Sequence, residues 1–238
     1  MSAFPTTRWA TISEAVDPDS PGFQPALSDL CETYWYPVYT LVRSEGYTPE
    51  ESADLTQEYF ARLISRKLLA VADQSKGRFR DLLWRDCTFF LANQRDRASA
   101  RKRGPKSTIV SLEVPSAERR YGLEPSGEFD PKRRFDRAWA LGIIEQGLKR
   151  LQTQEERAGR GQGFRELAPL LTEDSQATSA GVIAERLGVT EQSVRAALHR
   201  LRVRFRESLR HEVALTLGSP TVSNIDEEIQ YLFEALRR

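Results

Sequence analysis

The sequence contains too little cysteine and histidine for a disulfide scaffold or a zinc site. Its 238 residues include two cysteines and two histidines. Cys31 and Cys87 lie in apolar stretches that suit reduced thiols. No apolar run approaches the roughly 18–20 residues that a membrane helix needs, and the first residues do not form a signal-peptide pattern. We therefore expect a cytoplasmic protein with no metal, no cofactor and no membrane insertion.

The sequence also lacks a strong overall charge, since its formal net charge is +1. Basic residues are nevertheless concentrated in two places. Residues 95–106 include six basic residues and one acidic residue. Residues 195–211 include six arginines and one acidic residue, Glu207. Two basic patches on a neutral chain are typical of localised contact with phosphate groups.

Strand periodicity is missing as well, and nearly every periodic stretch indicates a helix. A short helix is expected over residues 8–16, and a longer one, kinked at Pro37, carries apolar residues at positions 27, 30, 34, 38 and 41. Thr48, Pro49 and Glu51 predict a capped start for the next helix, which should extend to about Leu69. Its inward-facing residues are expected to be Ala53, Phe60, Leu63 and Ile64. The chain is therefore expected to be all-α.

Prolines and glycines cluster between residues 105 and 130, where the apolar periodicity is weak. We interpret this stretch as a flexible linker between two small helical domains. The expected organisation is a first domain over residues 1–104, the linker over 105–130, a second domain over 131–217 and a C-terminal amphipathic helix over 218–238.

The segment AGVIAERLGVTEQSVR (180–195) is typical of a helix-turn-helix. Ala184 supplies a small residue where two helices cross, Gly188 suits a left-handed turn, and Thr190 can cap the second helix. The small shared core should consist of Ile183, Leu187, Val189 and Val194. The outer face of the second helix carries residue types that reach base edges or phosphates, namely Gln192, Ser193, Arg195, Ala196, His199 and Arg200. DNA binding is favoured, and a helical hairpin with a solvated arginine face is the alternative.

Several segments resemble bacterial sigma factors of the extracytoplasmic-function group, in the sigma-70 family. DLTQEYFARLI (54–64), GRFRDLLW (77–84) and FFLANQRDR (89–97) are similar to region 2 of that family. The helix-turn-helix, continuing as VRAALHRLR (194–202), is similar to region 4. The opening FPTTRW (4–9) resembles a subgroup that is common in planctomycetes. The resemblance covers nearly the whole chain except the linker.

The resemblance implies a dissociable sigma factor that binds core RNA polymerase and directs promoter recognition and transcription initiation. The polymerase does the chemistry, so the chain itself is not expected to be an enzyme. The implied partners are the β′ clamp helices, the β flap and promoter DNA, with an anti-sigma factor or other regulator in addition.

The resemblance also assigns roles to particular residues. Contact with the polymerase falls to Asp54, Gln57, Glu58 and Arg62. Recognition of the opened −10 element falls to Trp84, Phe89, Asn93, Arg97, Arg101 and Arg103. Recognition of the −35 element falls to the outer face of the helix-turn-helix. Phe89, Asn93 and Ala197 differ from the residues that many relatives carry at those positions.

Other interpretations stay open at the level of sequence. Trp84 and Phe89 are equally compatible with the core. A stand-alone helix-turn-helix DNA-binding regulator with sigma-like architecture but no polymerase binding would carry many of the same patterns, and so would a protein-interaction module. A phosphate-binding enzyme is disfavoured, because GRGQG (159–163) follows no strand and precedes no lysine of the expected motif.

Overall fold

The computed structural model describes residues 20–65, 78–100, 114–122, 130–172, 180–217 and 220–237. Within these ranges every regular element is a helix, which confirms the all-α class. The helices are α1 (Phe23–Ser44), α2 (Pro49–Ser65), α3 (Phe79–Ala100), α4 (Val114–Gly122), α5 (Pro131–Arg157), α6 (Gly161–Leu167), α7 (Pro169–Thr172), α8 (Ala180–Leu187), α9 (Glu191–Thr216) and α10 (Val222–Arg237). The helix expected over residues 8–16 lies outside the described residues.

The turn between α1 and α2 follows the local signals in the sequence. Helix α1 continues through the buried Pro37 to Ser44, and Gly46 then takes a left-handed φ of 91°. The Thr48 hydroxyl accepts a hydrogen bond from the Glu51 amide at 3.2 Å, while the Glu51 carboxylate accepts one from the Thr48 amide at 3.1 Å. This reciprocal pair satisfies two amides at the helix start and confirms the predicted cap.

The chain divides into two compact units, but not where the sequence predicted. One unit comprises Met1–Gly142 together with Ala214–Arg238, and the other comprises Ile143–Val213. The boundaries therefore lie inside α5 and near the end of α9, and α10 belongs to the first unit rather than standing apart. The physical reason is that α10 buries Ile225, Glu228 and Leu232.

Aromatic residues form much of the core of the first unit. The Tyr34 and Phe79 rings, from α1 and α3, meet edge to face with centroids 5.4 Å apart. The Tyr59 ring of α2 lies 5.6 Å from the Phe90 ring of α3, and its hydroxyl donates a 3.2 Å hydrogen bond to the Leu83 carbonyl. These contacts fix α1, α2 and α3 against one another, because buried rings and a satisfied hydroxyl permit few alternative packings.

The predicted linker contains a packed helix, α4, which is a correction to the sequence interpretation. Ala117 is buried, and the Glu118 carboxylate receives hydrogen bonds from Arg43 at 2.8 and 3.0 Å and from the Tyr39 hydroxyl at 2.7 Å. The bidentate geometry is the one that a planar guanidinium makes with a carboxylate. Arg43 and Glu118 are 75 residues apart in sequence, so no local pattern could reveal the contact.

The Glu118 contacts make the stability of the first unit sensitive to acid. Hydrogen bonds from Arg43, and then from Tyr39, hold the pKa of Glu118 below its usual range. A folded-state pKa below the unfolded one adds stability above the unfolded pKa, and that stability is lost as the pH falls through the folded pKa. The free energy of unfolding, measured with urea, should therefore fall less between pH 7 and pH 3 for Glu118→Gln than for the unaltered chain. Equal declines in the two proteins would show that Glu118 does not cause the acid sensitivity.

The second unit has its own apolar core. Its buried members come from α5, α6, α8 and α9 and are Leu151, Phe164, Leu167, Ile183, Ala184, Val194 and Leu201. Ile183 and Val194, two of the four residues predicted for the small shared core, are buried in this cluster together with Ala184, and Leu187 packs against the cluster while partly buried. Val189 was wrongly assigned to this core, since 45% of it is exposed after the turn at Gly188.

Candidate nucleic-acid interface

The four residues assigned to polymerase contact lie on α2 but differ in exposure. Asp54, Gln57 and Glu58 are exposed and share one face of the helix at spacings of three and four residues. Arg62 is half-buried, and its guanidinium carbon lies 5.4 Å from the centroid of the Phe90 ring. The exposed surface is thus more acidic than the sequence suggested, because Arg62 partly covers the core.

The end of α2 corrects one further expectation. Ala53, Phe60 and Leu63 are buried as predicted, whereas Ile64 is 36% exposed. Ile64 directly follows the buried Leu63, and adjacent residues lie about 100° apart around a helix. Ile64 therefore belongs to the surface of α2.

Helix α3 presents an aromatic residue to solvent in line with polar ones. Phe89 is 63% exposed, which resolves the sequence alternative in favour of the surface. Asn93 follows four residues later, with its side-chain amide donating a 2.8 Å hydrogen bond to the Phe89 carbonyl, and Arg97 is exposed four residues further on. Residues at successive spacings of four form a row along a helix. Phe89, Asn93 and Arg97 thus form one row at the surface of α3, which we call the α3 row; Phe89 and Arg97 are exposed and Asn93 is half-buried.

Trp84 does not belong to the α3 row. It precedes Phe89 by five residues, which places it about 140° away around the helix. It is half-buried, and the Lys132 ammonium of α5 lies 5.6 Å from the centroid of its ring. Arg101 and Arg103, the remaining residues assigned to the −10 element, lie outside the described residues.

The turn between α8 and α9 is built from hydrogen bonds that set the direction of α9. Gly188 takes a left-handed φ of 65°, its amide donates to the Glu185 carbonyl at 3.3 Å, and the Val189 amide donates to the Ala184 carbonyl at 3.0 Å. This pair of bonds closes the end of a helix in the Schellman arrangement. The Thr190 hydroxyl then accepts a 3.2 Å hydrogen bond from the Ser193 amide, which caps α9 as predicted.

All six residues assigned to the −35 element are exposed along α9: Gln192, Ser193, Arg195, Ala196, His199 and Arg200. Arg195 pairs with Glu191 at 3.0 Å, four residues earlier. An exposed pair of this kind contributes only about 0.3–0.5 kcal/mol, so it leaves Arg195 available to another acceptor. The outer face of α9 is therefore an accessible surface with guanidinium, imidazole and amide groups.

The sequence did not indicate the ion-pair cluster behind α9. Glu155 of α5 is 2% exposed, and its carboxylate lies 2.8 Å from the Nε atoms of both Arg160 and Arg204. The Arg160 guanidinium, with Arg204 beside it, holds the pKa of Glu155 below its usual range. Arg204 therefore helps to attach α9 to α5, while Arg202 and Arg206 on the same helix are exposed. The one sequence signal for this ion-pair cluster is the position of Glu155 four residues after the apolar Leu151, which places both residues on the same face of α5.

Metal-ligand clusters and membrane-spanning helices are absent from the part of the chain that the structure describes. No group of three or more histidine, cysteine, aspartate or glutamate side chains is placed to hold a metal ion there. None of the helices in those ranges combines the length and the apolar character needed to cross a bilayer. Cys87 is buried, and that burial raises the pKa of its thiol, so it is a poor ligand and nucleophile.

Comparison of the chain with protein-family models, with curated proteins and with solved structures found no match.

Proposed function

We propose that the chain is a dissociable sigma factor, which binds core RNA polymerase and directs it to promoters. The observation that carries the proposal is the outer face of α9, where six residues suited to base edges and phosphates are all exposed behind a capped, glycine-containing turn. An α-helix fits the major groove of duplex DNA, and its exposed residues near the N-terminus contact base edges.

The α3 row supports the same proposal for a second element of the promoter. Reading an opened strand requires a surface on which bases stack and cations that follow the backbone. Phe89 offers an exposed ring and Arg97 an exposed guanidinium on one row of α3. Trp84 contributes less than the sequence suggested, because it lies away from that row.

The acidic face of α2 is the proposed contact with the polymerase. Asp54 and Glu58 place two carboxylates on an exposed surface, with Gln57 between them. A surface of this sign suits a basic partner helix, since complementary charge speeds association and fixes the register. We assign this face to the β′ clamp helices. The β flap and an anti-sigma factor stay among the proposed partners.

The deciding experiment is binding of the full chain to purified core RNA polymerase. The variant Asp54→Ala/Gln57→Ala/Arg62→Ala should raise the Kd at least about tenfold, which corresponds to roughly 1.4 kcal/mol spread over three contacts. The matched control is Gln24→Ala/Asp29→Ala/Glu32→Ala, which alters three exposed polar residues on α1 and should leave the Kd unchanged. Circular dichroism of both variants verifies that they fold.

Two results would contradict the proposal. A folded chain that does not bind core polymerase would favour the alternative, a stand-alone helix-turn-helix regulator with sigma-like architecture. Tight, sequence-specific binding of duplex DNA by the free chain would favour the same alternative, because such regulators recognise operators without a polymerase. The outer face of α9 would then require an operator of its own.

A further inference from the structure

A cavity of about 560 Å³ lies within the second unit, between α6 and α9. Three arginines line it, Arg160, Arg200 and Arg204, around an apolar floor that includes Leu187 and Ala197. We call it the arginine cavity. Its volume is within the range of pockets that hold small organic molecules, and such pockets combine apolar walls with a few convergent polar groups.

The charges around the arginine cavity do not cancel. The Glu155 carboxylate is the acidic group in its lining, and it is buried between Arg160 and Arg204. One carboxylate against two guanidinium groups leaves a net charge of +1. Arg200 adds a further +1, because it makes no ion pair with any residue that the structure describes. The cavity therefore has a net charge of +2 above an apolar floor.

The floor makes this site different from a simple basic surface. Leu187 and Ala197 line the cavity and are only partly buried, so apolar surface of both residues is open to it. A free inorganic anion would leave that apolar surface in contact with water. An anion that carries a compact apolar group would cover it, and burial of apolar surface is favourable.

We propose that the arginine cavity binds a small organic phosphate, with the phosphate at Arg200 and the apolar group over Leu187 and Ala197. A phosphate monoester carries about −1.5 to −2 charges at pH 7, which matches the net charge of the cavity better than a single carboxylate does. The planar guanidinium of Arg200 can donate two parallel hydrogen bonds to phosphate oxygens. The Glu155 pair holds Arg160 and Arg204 in place, so the site needs little rearrangement to accept a ligand.

A ligand in the arginine cavity would affect the outer face of α9, because Arg200 belongs both to the cavity lining and to that face. A phosphate held at Arg200 would compete with DNA for the same guanidinium. That consequence depends on the proposed function, whereas binding to the cavity does not. A test on the free chain, without polymerase or promoter, therefore distinguishes the failure of one proposal from the failure of the other.

Isothermal titration of the full chain with phenyl phosphate, inorganic phosphate and phenol tests the proposal. We expect saturable 1:1 binding of phenyl phosphate, about tenfold or more tighter than inorganic phosphate because of the apolar floor. Phenol should bind too weakly to detect, since it lacks the anion.

Two single variants localise the binding. Arg200→Ala should weaken phenyl phosphate binding about tenfold or more. Arg202→Ala removes the same charge from an exposed position of α9 outside the cavity lining and should leave the affinity unchanged. Equal losses in the two variants would show general attraction to the basic helix, and no saturable binding by the unaltered chain would show that the cavity has no such ligand. Equal affinities for phenyl phosphate and inorganic phosphate would likewise overturn the proposal.

Discussion

Replacing Glu228 by alanine should lower the free energy of unfolding by about 3–5 kcal/mol, because it leaves a buried arginine without its carboxylate. Glu228 of α10 is 1% exposed and pairs with Arg78 at 2.8 Å and with Arg80, which is itself 3% exposed. The Arg80 guanidinium carbon also lies 4.4 Å from the centroid of the Trp139 ring. It is therefore enclosed by aromatic surface and has little access to water in place of the lost carboxylate.

Urea denaturation followed by circular dichroism measures this loss. The matched control is Glu234→Ala on the same helix, which removes an exposed carboxylate and should change stability by less than about 0.5 kcal/mol. Glu228→Gln should fall between the two, since the amide retains the shape and one acceptor. A change below about 1 kcal/mol in Glu228→Ala would show that α10 contributes little to the first unit.

The second large effect is expected at Ile183, in the core of the second unit. Ile183→Ala should lower the free energy of unfolding by about 2–5 kcal/mol, because it removes buried methyl groups and leaves a cavity. Ile183 is fully buried among residues of α5, α6 and α9. The lower stability should appear in hydrogen exchange as faster exchange of the amides of α8 and of the first turns of α9.

Val182→Ala is the control for Ile183→Ala. Val182 precedes it in the same helix but is 41% exposed, so it loses much less contact with water on folding than Ile183 does. Its replacement should change stability by no more than about 0.5 kcal/mol. Similar losses in the two variants would mean that α8 does not use Ile183 to hold the turn before α9. The six exposed residues of α9 would then have to be oriented by other contacts.

Local signals in the sequence predicted the helices and their ends well. The Thr48–Glu51 cap, the left-handed Gly188 and the Thr190 cap of α9 are all present. Each of these depends on hydrogen bonds or steric limits within about four residues, so neighbours in sequence decide it.

The errors concern which residues pack against the core and which face solvent. Helix α4 was interpreted as linker, because the partners of Glu118 are Arg43 and Tyr39. Val189 was assigned to a core from which the Gly188 turn directs it away. In each case the residue type permitted both environments.

The sequence by itself determined the all-α class, the helix caps and the residue types on the outer face of α9, because these depend on contacts over a few residues. The tertiary structure alone decided that α10 joins the first unit through Glu228, that Arg204 is held by Glu155 while Arg200 lines a cavity, and that Phe89 is exposed. Those outcomes depend on which distant helices pack together. Burial of a charge or a ring is a property of that packing, and the pattern of a single helix does not contain it.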